Sequence, residues 1–325
     1  MFHLIEPRLG RISGGLRYNH AVLDAANGRI TRHELVGTWP DSSDEDIDQL
    51  DQLIARLDGP VLLDGLIGCA LENPLDAHVP IVQLVHALAT TPEAKRRQEI
   101  CLQAADAVVA TSQYAADKLR QRYGVEAVVA TPGVQARPLA TGSNGSHFVS
   151  VGGLESNKNQ RFLAAVLTEL HAMGVSGWHC TFAGPTTDAG YAEELRQDLA
   201  QLPASSTTIA GELDTEALDA LYDSADLLLL PSRAETFGLV VREATAAGLP
   251  ALVTAGTGAE EALGGGVALE LDRTIWVEVL QRWLTDSAYR NRLQGDAKVA
   301  RQQLTYGWRA TANTILEVLE STCSG

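Results

Sequence analysis

Leu230-Pro-Ser-Arg-Ala-Glu-Thr-Phe-Gly-Leu-Val-Val-Arg-Glu-Ala-Thr-Ala-Ala-Gly-Leu-Pro-Ala-Leu-Val-Thr254 predicts a strand end, a loop, a helix, a tight turn and a second strand in succession. The four leucines up to Leu230 are typical of a strand in a parallel sheet that is covered on both faces. Gly248 and Pro250 mark the turn that returns the chain to the sheet. The segment therefore predicts one β-α-β unit of a doubly wound sheet.

Short aliphatic strands alternate with helical patterns along the rest of the chain. The predicted strands are residues 2–5, 33–39, 61–64, 81–85, 107–110, 127–130, 147–151, 178–182, 207–209, 227–230, 251–253 and 267–269. Helical patterns lie between them, for example at 43–57 and 115–123. This alternation is typical of α/β proteins with parallel sheets.

Residues 137–146 are rich in Gly, Ser, Asn and Pro and have neither a helical nor a strand period, which is typical of a linker. We therefore expect an N-terminal domain at 1–140, a C-terminal domain at 147–305, and a last helix within 306–325 that packs back on the first domain. Two Rossmann-like sheets joined in this way would face a central cleft, where open α/β sheets bind ligands.

The chain of 325 residues carries 25 basic and 41 acidic side chains, a net charge of −16. The first 146 residues are also acidic, with 13 basic and 18 acidic side chains. A protein that grips nucleic acid through a broad basic face is therefore not expected. The four cysteines are isolated, which indicates a reducing compartment. With neither a signal peptide nor a long apolar run, we expect a cytoplasmic protein without an integral membrane segment.

Two glutamates in the opening stretch, Glu235 and Glu243, are eight positions apart. If most of that interval is helical, they are separated by about 12 Å, close to the span of a nucleotide sugar. The amides of Phe237, Gly238 and Leu239 would then form a helix N-terminus suited to a diphosphate or to sugar hydroxyls. The spacing alone is explained as well by one loop glutamate and one solvated helix glutamate.

The surroundings of these glutamates closely resemble the retaining family-four, or group 1, glycosyltransferases of the GT-B fold. Their hallmark is Pro-Ser-x-x-Glu-x-Phe-Gly followed by Glu-Ala and Gly-x-Pro, and residues 231–250 match it. Further matches occur in the family's order at Ser13-Gly14-Gly15, Val85-His86, 105–112, 149–158, Ala210-Gly211-Glu212, 222–226, 258–261 and Gly307-Trp308. The resemblance covers nearly the whole chain and implies two Rossmann-like domains.

The resemblance also implies roles. His86 would contact the transferred sugar, Lys158 would neutralise the donor diphosphate, and Glu235 would hold sugar hydroxyls. Glu243 would bind the ribose, and Glu212 belongs to the turn that binds the base. The other donor-binding positions would be Gly14, Gly15, Thr236, Phe237, Gly238 and Leu239. Taken one at a time, these residues have structural explanations: a strand-end histidine, a surface lysine and a tight Gly-Gly turn.

Three features depart from the family's pattern. Gly153 stands where the family commonly has an arginine, and either Arg161 or Arg233 is a candidate to supply the missing charge. Thr131-Pro132-Gly133 replaces the usual Asn-Gly before the linker. The N-terminal domain is also short for the family, which argues against an elaborate acceptor platform.

Two other enzyme classes fit less well. Asp44-Glu-Asp46-Ile-Asp48 has the Asp-x-Asp spacing of manganese-dependent transferases, but acids are expected in the first turn of an amphipathic helix. A dehydrogenase would need Gly-x-Gly-x-x-Gly after the first strand, and the sequence has none there. We therefore expect neither a metal site nor a cofactor.

Taken together, the sequence predicts a retaining transferase that moves a hexose from a UDP- or GDP-sugar to an acceptor hydroxyl without a metal ion. The acceptor is expected to be a soluble small molecule, because the basic cluster 95–97 is flanked by Glu93 and Glu99 and lacks aromatic neighbours. Two alternatives stay open: a lipid-linked glycan acceptor, and a nucleotide-sugar-binding protein without activity, the latter because of Gly153. A pyridoxal-dependent phosphorylase is disfavoured, since none of the four lysines has a Schiff-base context.

Overall fold

The computed structural model describes residues 1–10 and 13–323. The chain divides into two compact units, called here unit 1 (Met1–Gly133 with Gly307–Gly325) and unit 2 (Val134–Tyr306). Each unit is built on one six-stranded sheet in which neighbouring strands run parallel. The predicted α/β class with two doubly wound parallel sheets is confirmed.

Unit 1 begins with eleven elements. They are β1 (Phe2–Pro7), α1 (Gly14–Ala25), β2 (Ile30–Leu35), α2 (Asp44–Ile54), β3 (Val61–Asp64), α3 (Gly65–Gly68), β4 (Ile81–Val85), α4 (Pro92–Ala104), β5 (Ala107–Ala110), α5 (Gln113–Tyr123) and β6 (Val128–Val129). The strand order is β2-β1-β3-β4-β5-β6. The chain therefore adds strands on one side of β1 and then on the other, which leaves a topological switch point between β1 and β3.

The second strand lies earlier than predicted. The sequence favours residues 33–39, whereas β2 is Ile30–Leu35 and pairs in register with β1. Asn27 and Gly28 both adopt left-handed backbone conformations directly after α1, and they reverse the chain early enough for Ile30 to enter the sheet. The apolar residues of 36–39 that suggested a longer strand therefore lie beyond the sheet.

Unit 2 contains six strands and seven helices. They are β7 (His147–Val151), α6 (Gln160–Ala172), β8 (His179–Ala183), α7 (Ala189–Leu199), β9 (Thr207–Gly211), α8 (Thr215–Ser224), β10 (Leu227–Leu230), α9 (Leu239–Ala246), β11 (Ala251–Thr254), α10 (Ala259–Ala262), β12 (Gly266–Leu269), α11 (Arg273–Thr285) and α12 (Ser287–Gln303). The strand order β12-β11-β10-β7-β8-β9 places a second switch point between β7 and β10. All four leucines of β10 are buried, as expected for a strand covered on both faces.

Two segments lie at the sequence ends of unit 2, one before β7 and one after α12. Residues 137–146 form neither helix nor strand, and Ser143 bonds through its hydroxyl to Asp226 Oδ2 at 2.7 Å. After residue 306 the chain forms α13 (Arg309–Ser321), whose Ile315 and Leu319 pack in the core of unit 1 beside Leu4. Ser324 and Gly325, the end of the predicted segment 306–325, lie outside the described residues.

Candidate functional site

The loops that follow β7 and β10 meet at the switch point of unit 2. Lys158 lies at the end of the loop after β7, and Glu235 lies in the loop after β10. Their side chains form an ion pair, with Lys158 Nζ donating to Glu235 Oε1 at 2.6 Å. Because β7 and β10 are neighbours in the sheet, both loops leave from the same edge. The structure therefore brings together two of the three predicted catalytic residues.

Asn157 holds these two loops in register. Its Nδ2 atom donates to the carbonyl oxygen of Ala234 at 3.1 Å, and its Oδ1 atom accepts from the Ala234 amide at 3.1 Å. The Arg233 amide also donates to the carbonyl oxygen of Asn157 at 2.8 Å. These three bonds place Lys158 opposite Glu235. Asn157 lies within the 149–158 motif, but no role for it could be inferred from the sequence.

The ion pair is only partly exposed to solvent, with 24% of the Lys158 side chain and 11% of the Glu235 side chain accessible. Burial by itself would lower the pKa of Lys158, but the carboxylates of Glu235 and Glu155 outweigh it and hold that pKa above its ordinary value. Lys158 is therefore a full positive charge at neutral pH. The site can offer this charge to an anion that competes with Glu235 for it.

Gly153 lies against the start of α7. A Cβ atom at this position would come within 2.9 Å of Thr187 Cγ2, and the Thr187 hydroxyl is bonded to the carbonyl oxygen of Leu154 at 3.0 Å. The neighbour is therefore fixed in place, and an arginine at position 153 would require Thr187 to move. Gly153 therefore packs closely against Thr187 and supplies no cation at this position.

The two arginines considered as substitutes differ in their surroundings. Arg161 pairs with Asp198 at 2.6 Å and also with Glu194. Its role as a substitute for the missing arginine stays a prediction. Arg233 is exposed, and its Nη2 atom lies 3.4 Å from Asn159 Oδ1, in the loop that carries Lys158. Arg233 is therefore the better-placed cation.

Helix α9 begins directly after the Glu235 loop. Its N-cap is Gly238, with φ of +84°, a left-handed conformation that favours glycine and provides no side chain to cap the helix. The Leu239 amide is therefore the first amide of the helix. Phe237 precedes the helix and is buried. The interval from Glu235 to Glu243 is half loop and half helix rather than mostly helical, since α9 begins only at Leu239.

Thr236 and Gly258 fix the shape of this loop. The Gly258 amide donates to the carbonyl oxygen of Glu235 at 2.8 Å, and a Cβ atom on Gly258 would lie 2.0 Å from the carbonyl oxygen of Thr236. Only glycine allows this close approach of the two backbones. The Gly258–Glu261 segment, found in the sequence as a motif, therefore has a packing role beneath the loop.

Glu243 lies in α9 and is buried. Its Oε2 atom accepts a hydrogen bond from the Tyr222 hydroxyl at 3.0 Å. Tyr222 is itself buried in α8, and the guanidinium of Arg137 lies 4.9 Å from the centre of its ring. Arg137 also pairs with Asp219. Glu243 is thus a buried, positioned acceptor and not a solvated helix residue.

Glu212 is exposed and follows β9 at the outer edge of the sheet. The preceding carbonyl oxygen, that of Gly211, accepts from the Gly184 amide at 2.7 Å, and the carbonyl of Ala183 accepts from the Gly152 amide at 2.8 Å. These bonds connect the loops after β7, β8 and β9. Within residues 1–10 and 13–323, no hydrogen bond or ion pair joins Glu212 to Lys158 or Glu235.

The remaining predicted residues lie in unit 1. His86 follows β4, and Gly14 and Gly15 are the first two residues of α1, where the Ser13 hydroxyl accepts from the Leu16 amide at 3.2 Å. A Cβ atom on Gly15 would lie 3.1 Å from His86 Cδ2. The second glycine therefore lets α1 begin against the imidazole ring, while Gly14 is exposed.

Sequence reasoning missed three polar residues beside His86: Glu6, Asn19 and Asp64. All three are buried, and they lie at the end of β1, in α1 and at the end of β3. The Asn19 side chain contacts the carboxylates of Glu6 and Asp64 and the Nε2 atom of His86. The available signal was a charged residue at the end of each of two apolar strands, Glu6 and Asp64, on either side of a switch point.

The acidic run at 44–48 is a helix start. The Ser43 hydroxyl accepts from the Asp46 amide at 3.3 Å, and the Asp46 carboxylate accepts from the Ser43 amide at 2.9 Å, which is a capping box. Asp46 therefore caps the N-terminus of α2, which is the structural alternative to metal binding. Across residues 1–10 and 13–323, no three His, Cys, Asp or Glu side chains are grouped so that they could hold a metal ion.

The basic cluster 95–97 lies in α4. Its Arg97 pairs with Glu72 at 3.1 Å and with Glu93 at 2.9 Å, so part of its charge is neutralised locally. In the described part of the chain, none of the helices is both long and apolar enough to span a membrane.

Comparison with known families adds to this geometry. The family described as "Glycosyl transferases group 1" matches residues 136–299, which is half of the chain. Two curated relatives are D-inositol 3-phosphate glycosyltransferases. The one from Salinispora arenicola is 37% identical over 105 residues (31% of this chain, 23% of the relative), and the one from Nocardiopsis dassonvillei is 28% identical over 278 residues (74% and 64%). The chain thus spans less than two thirds of the length of these relatives.

Solved structures show the same architecture. Sucrose-phosphate synthase from Thermosynechococcus elongatus superposes with a TM-score of 0.78 at 18% identity, over 99% of each chain. The Anabaena protein HepE, solved in complex with UDP and glucose, gives a TM-score of 0.80 at 15% identity, over 98% of this chain and 99% of that one. At this level of identity the likeness shows the fold, and the predicted GT-B fold is confirmed.

Proposed function

Since the chain belongs to the group 1 glycosyltransferase family, we propose that it transfers a hexose from a nucleoside-diphosphate sugar to an acceptor hydroxyl with retention of anomeric configuration. The observation that carries the proposal is the Lys158–Glu235 ion pair, 2.6 Å long, at the switch point of unit 2. A cation there suits a diphosphate, and the carboxylate suits sugar hydroxyls. Both groups belong to one preorganised pair of loops.

The donor diphosphate is proposed to take Lys158 away from Glu235. The first backbone amides of α9, from Leu239 onward, have no side-chain cap. They provide the partial positive charge of a helix N-terminus, which suits a bound anion. Once Lys158 neutralises the diphosphate, the Glu235 oxygens are released to accept hydrogen bonds from sugar hydroxyls. The ion pair thus keeps both side chains near their working positions.

The nucleoside is proposed to bind through Glu243 and the turn at Glu212. The Glu243 carboxylate accepts hydrogen bonds only, so it fits the two hydroxyl donors of a ribose. The Tyr222 hydroxyl donates a hydrogen bond to Glu243 Oε2, and this bond fixes the orientation of the carboxylate. Glu212 lies beyond β9, where an exposed turn can line the base.

In the proposed reaction the acceptor hydroxyl attacks the anomeric carbon on the face from which the diphosphate departs. The new carbon–oxygen bond forms as the bond to the diphosphate oxygen breaks, and that departing oxygen takes the acceptor's proton. Lys158 and the α9 amides stabilise the negative charge that develops on the leaving group. Positioning and charge stabilisation then account for catalysis, so the chain requires neither a protein nucleophile nor a metal ion.

The acceptor is proposed to be a soluble small molecule, and the compartment to be the cytoplasm. Arg97, in the only basic cluster of the N-terminal half, already pairs with Glu72 and Glu93, and unit 1 is acidic by sequence. Helix α4 should therefore contribute little binding free energy at an anionic membrane surface. The four cysteines are free thiols, which suits a reducing compartment.

A second candidate is a nucleotide-sugar-binding protein without transferase activity, favoured by Gly153, which stands where the family commonly has an arginine and packs against Thr187. Thermal unfolding in the presence of UDP-glucose, UDP-N-acetylglucosamine and GDP-mannose tests the donor site that both candidates share. UDP-sugars are the first probes, since HepE binds UDP and glucose. At least one donor should raise Tm of the wild type by mass action and leave Tm of Lys158→Ala unchanged. If no donor raises the wild-type Tm, the proposal is wrong.

A further inference from the structure

A buried polar cluster occupies the switch point of unit 1. Asn19 lies at its centre: its Nδ2 atom is 2.9 Å from Glu6 Oε2 and 2.8 Å from Asp64 Oδ2, while its Oδ1 atom is 2.8 Å from His86 Nε2. We call Glu6, Asn19, Asp64 and His86 the Asn19 cluster. Each of the four residues comes from a different segment: β1, α1, β3 and the loop after β4.

Donors and acceptors in the Asn19 cluster can be assigned one by one. The Glu6 carboxylate also accepts from Arg32 Nε at 2.5 Å, and the Asp64 carboxylate accepts from the Leu66 amide at 2.9 Å. Both carboxylates are therefore acceptors, and only the NH₂ end of the Asn19 amide can satisfy them. That orientation turns the carbonyl end, Oδ1, toward His86. Because Oδ1 can only accept, His86 Nε2 must carry a proton.

We propose that Asn19 is a positioning residue that holds His86 as the neutral tautomer with its proton on Nε2. Asn19 Oδ1 is the nearer acceptor for the ring, at 2.8 Å from His86 Nε2, whereas Asp64 Oδ2 lies 3.5 Å from the same nitrogen. The Nε2 proton is therefore directed to the neutral amide rather than to the carboxylate. In this tautomer Nδ1 is the acceptor nitrogen of the His86 ring. Such a ring accepts a hydrogen bond from a hydroxyl group, which a protonated ring cannot do.

The charges around His86 support this assignment. Burial lowers the pKa of His86, and the carboxylates of Asp64 and Glu6 oppose it without overcoming it. Tyr18 packs edge-on against the ring with centroids 5.1 Å apart and is bonded through its hydroxyl to the carbonyl of Ala130. Arg32 pairs with the Glu6 carboxylate and compensates its charge. The neutral ring is thus the stable form at neutral pH.

The contact of His86 with a donor sugar rests on the proposed function, but the tautomer does not, and it is testable in the protein alone. Two-bond ¹H–¹⁵N correlations of ¹⁵N-histidine-labelled protein report which ring nitrogen is protonated. The spectrum of His86→Gln assigns the His86 signals among those of the eight histidines. The expected result at pH 7 is a proton on Nε2 alone. A proton on Nδ1, or a charged ring at pH 7, would overturn the proposal.

Asn19→Ala and Asn19→Ser test the role of the amide. Without Asn19, Asp64 loses the hydrogen bond from the amide and becomes the nearest acceptor for His86 Nε2, so the pKa of His86 should rise by at least about one pH unit in both variants. Asn313→Ala, on the exposed face of α13, is the matched control and should leave that pKa unchanged. An unaltered pKa and tautomer in a folded Asn19 variant would contradict the proposal. If both variants unfold, the wild-type tautomer alone decides.

Discussion

Lys158 Nζ lies 2.6 Å from Glu235 Oε1, and this ion pair joins the two loops that diverge at the switch point of unit 2. The residues are 77 positions apart, and the pairing of β7 with β10 together with the Asn157 bonds brings them together. Neither charge is fully solvated, so the removal of one leaves the other without its partner in a partly buried site. The pair is thus a structural contact and the centre of the proposed site.

Lys158→Ala and Glu235→Gln should each reduce the transfer rate by at least about 100-fold, because the leaving group loses its cation or the sugar loses its acceptor. Both variants should keep the wild-type circular dichroism spectrum. Lys298→Ala removes the same charge from an exposed position of α12 and serves as the control. Wild-type rates in the two folded site variants would refute the assignment of these residues.

Tyr222→Phe should weaken the binding of the nucleotide while leaving the chemical step intact. The variant loses the hydroxyl that donates to Glu243 Oε2, and the loss of one such bond corresponds to a rise in KM for the donor of roughly 3- to 10-fold. Tyr306→Phe loses a comparable bond to the carbonyl of Arg301 and should leave KM unchanged. A fall in kcat at constant KM would show that Tyr222 acts otherwise.

Asp46→Asn should destabilise unit 1 at pH 7 and should do so less as the pH falls. The hydrogen bond from the Ser43 amide lowers the pKa of Asp46, with burial opposing it. A carboxyl with a depressed pKa contributes stability above its unfolded value of about 4 and loses it as the pH falls through its folded value. Urea unfolding at pH 7 and pH 3 measures this difference, with exposed Asp48→Asn as the control. An equal destabilisation at both pH values would rule out the charged capping box.

The transfer reaction should proceed unchanged in excess EDTA. Lys158 and the α9 amides are expected to provide the positive charge, and Asp46 is engaged in a helix cap. Activity is compared in EDTA and in EDTA with excess manganese. Complete loss in EDTA that manganese restores would show that the reaction depends on a metal ion.

The alternation of apolar strands and helical patterns was enough to predict both sheets, because a buried parallel strand must be apolar at every position, as Leu227–Leu230 is. The capping box at Ser43 was also foreseeable, since it depends on residues only three apart. The Asn19 cluster was not, because Glu6 and Asp64 approach Asn19 only after three elements have packed. The salt bridges of Arg161 likewise arise from the packing of α6 on α7, which no local pattern encodes.

The most direct test of the account follows a nucleotide sugar, one that raises Tm, by NMR in the presence of the protein, with water as the acceptor. We expect slow release of the nucleoside diphosphate together with a sugar that first appears in the anomeric configuration of the donor. The Lys158→Ala, Glu235→Gln double variant should release it at least about 100-fold more slowly. Release by the wild type no faster than by the double variant, or a first product of inverted configuration, would contradict the account.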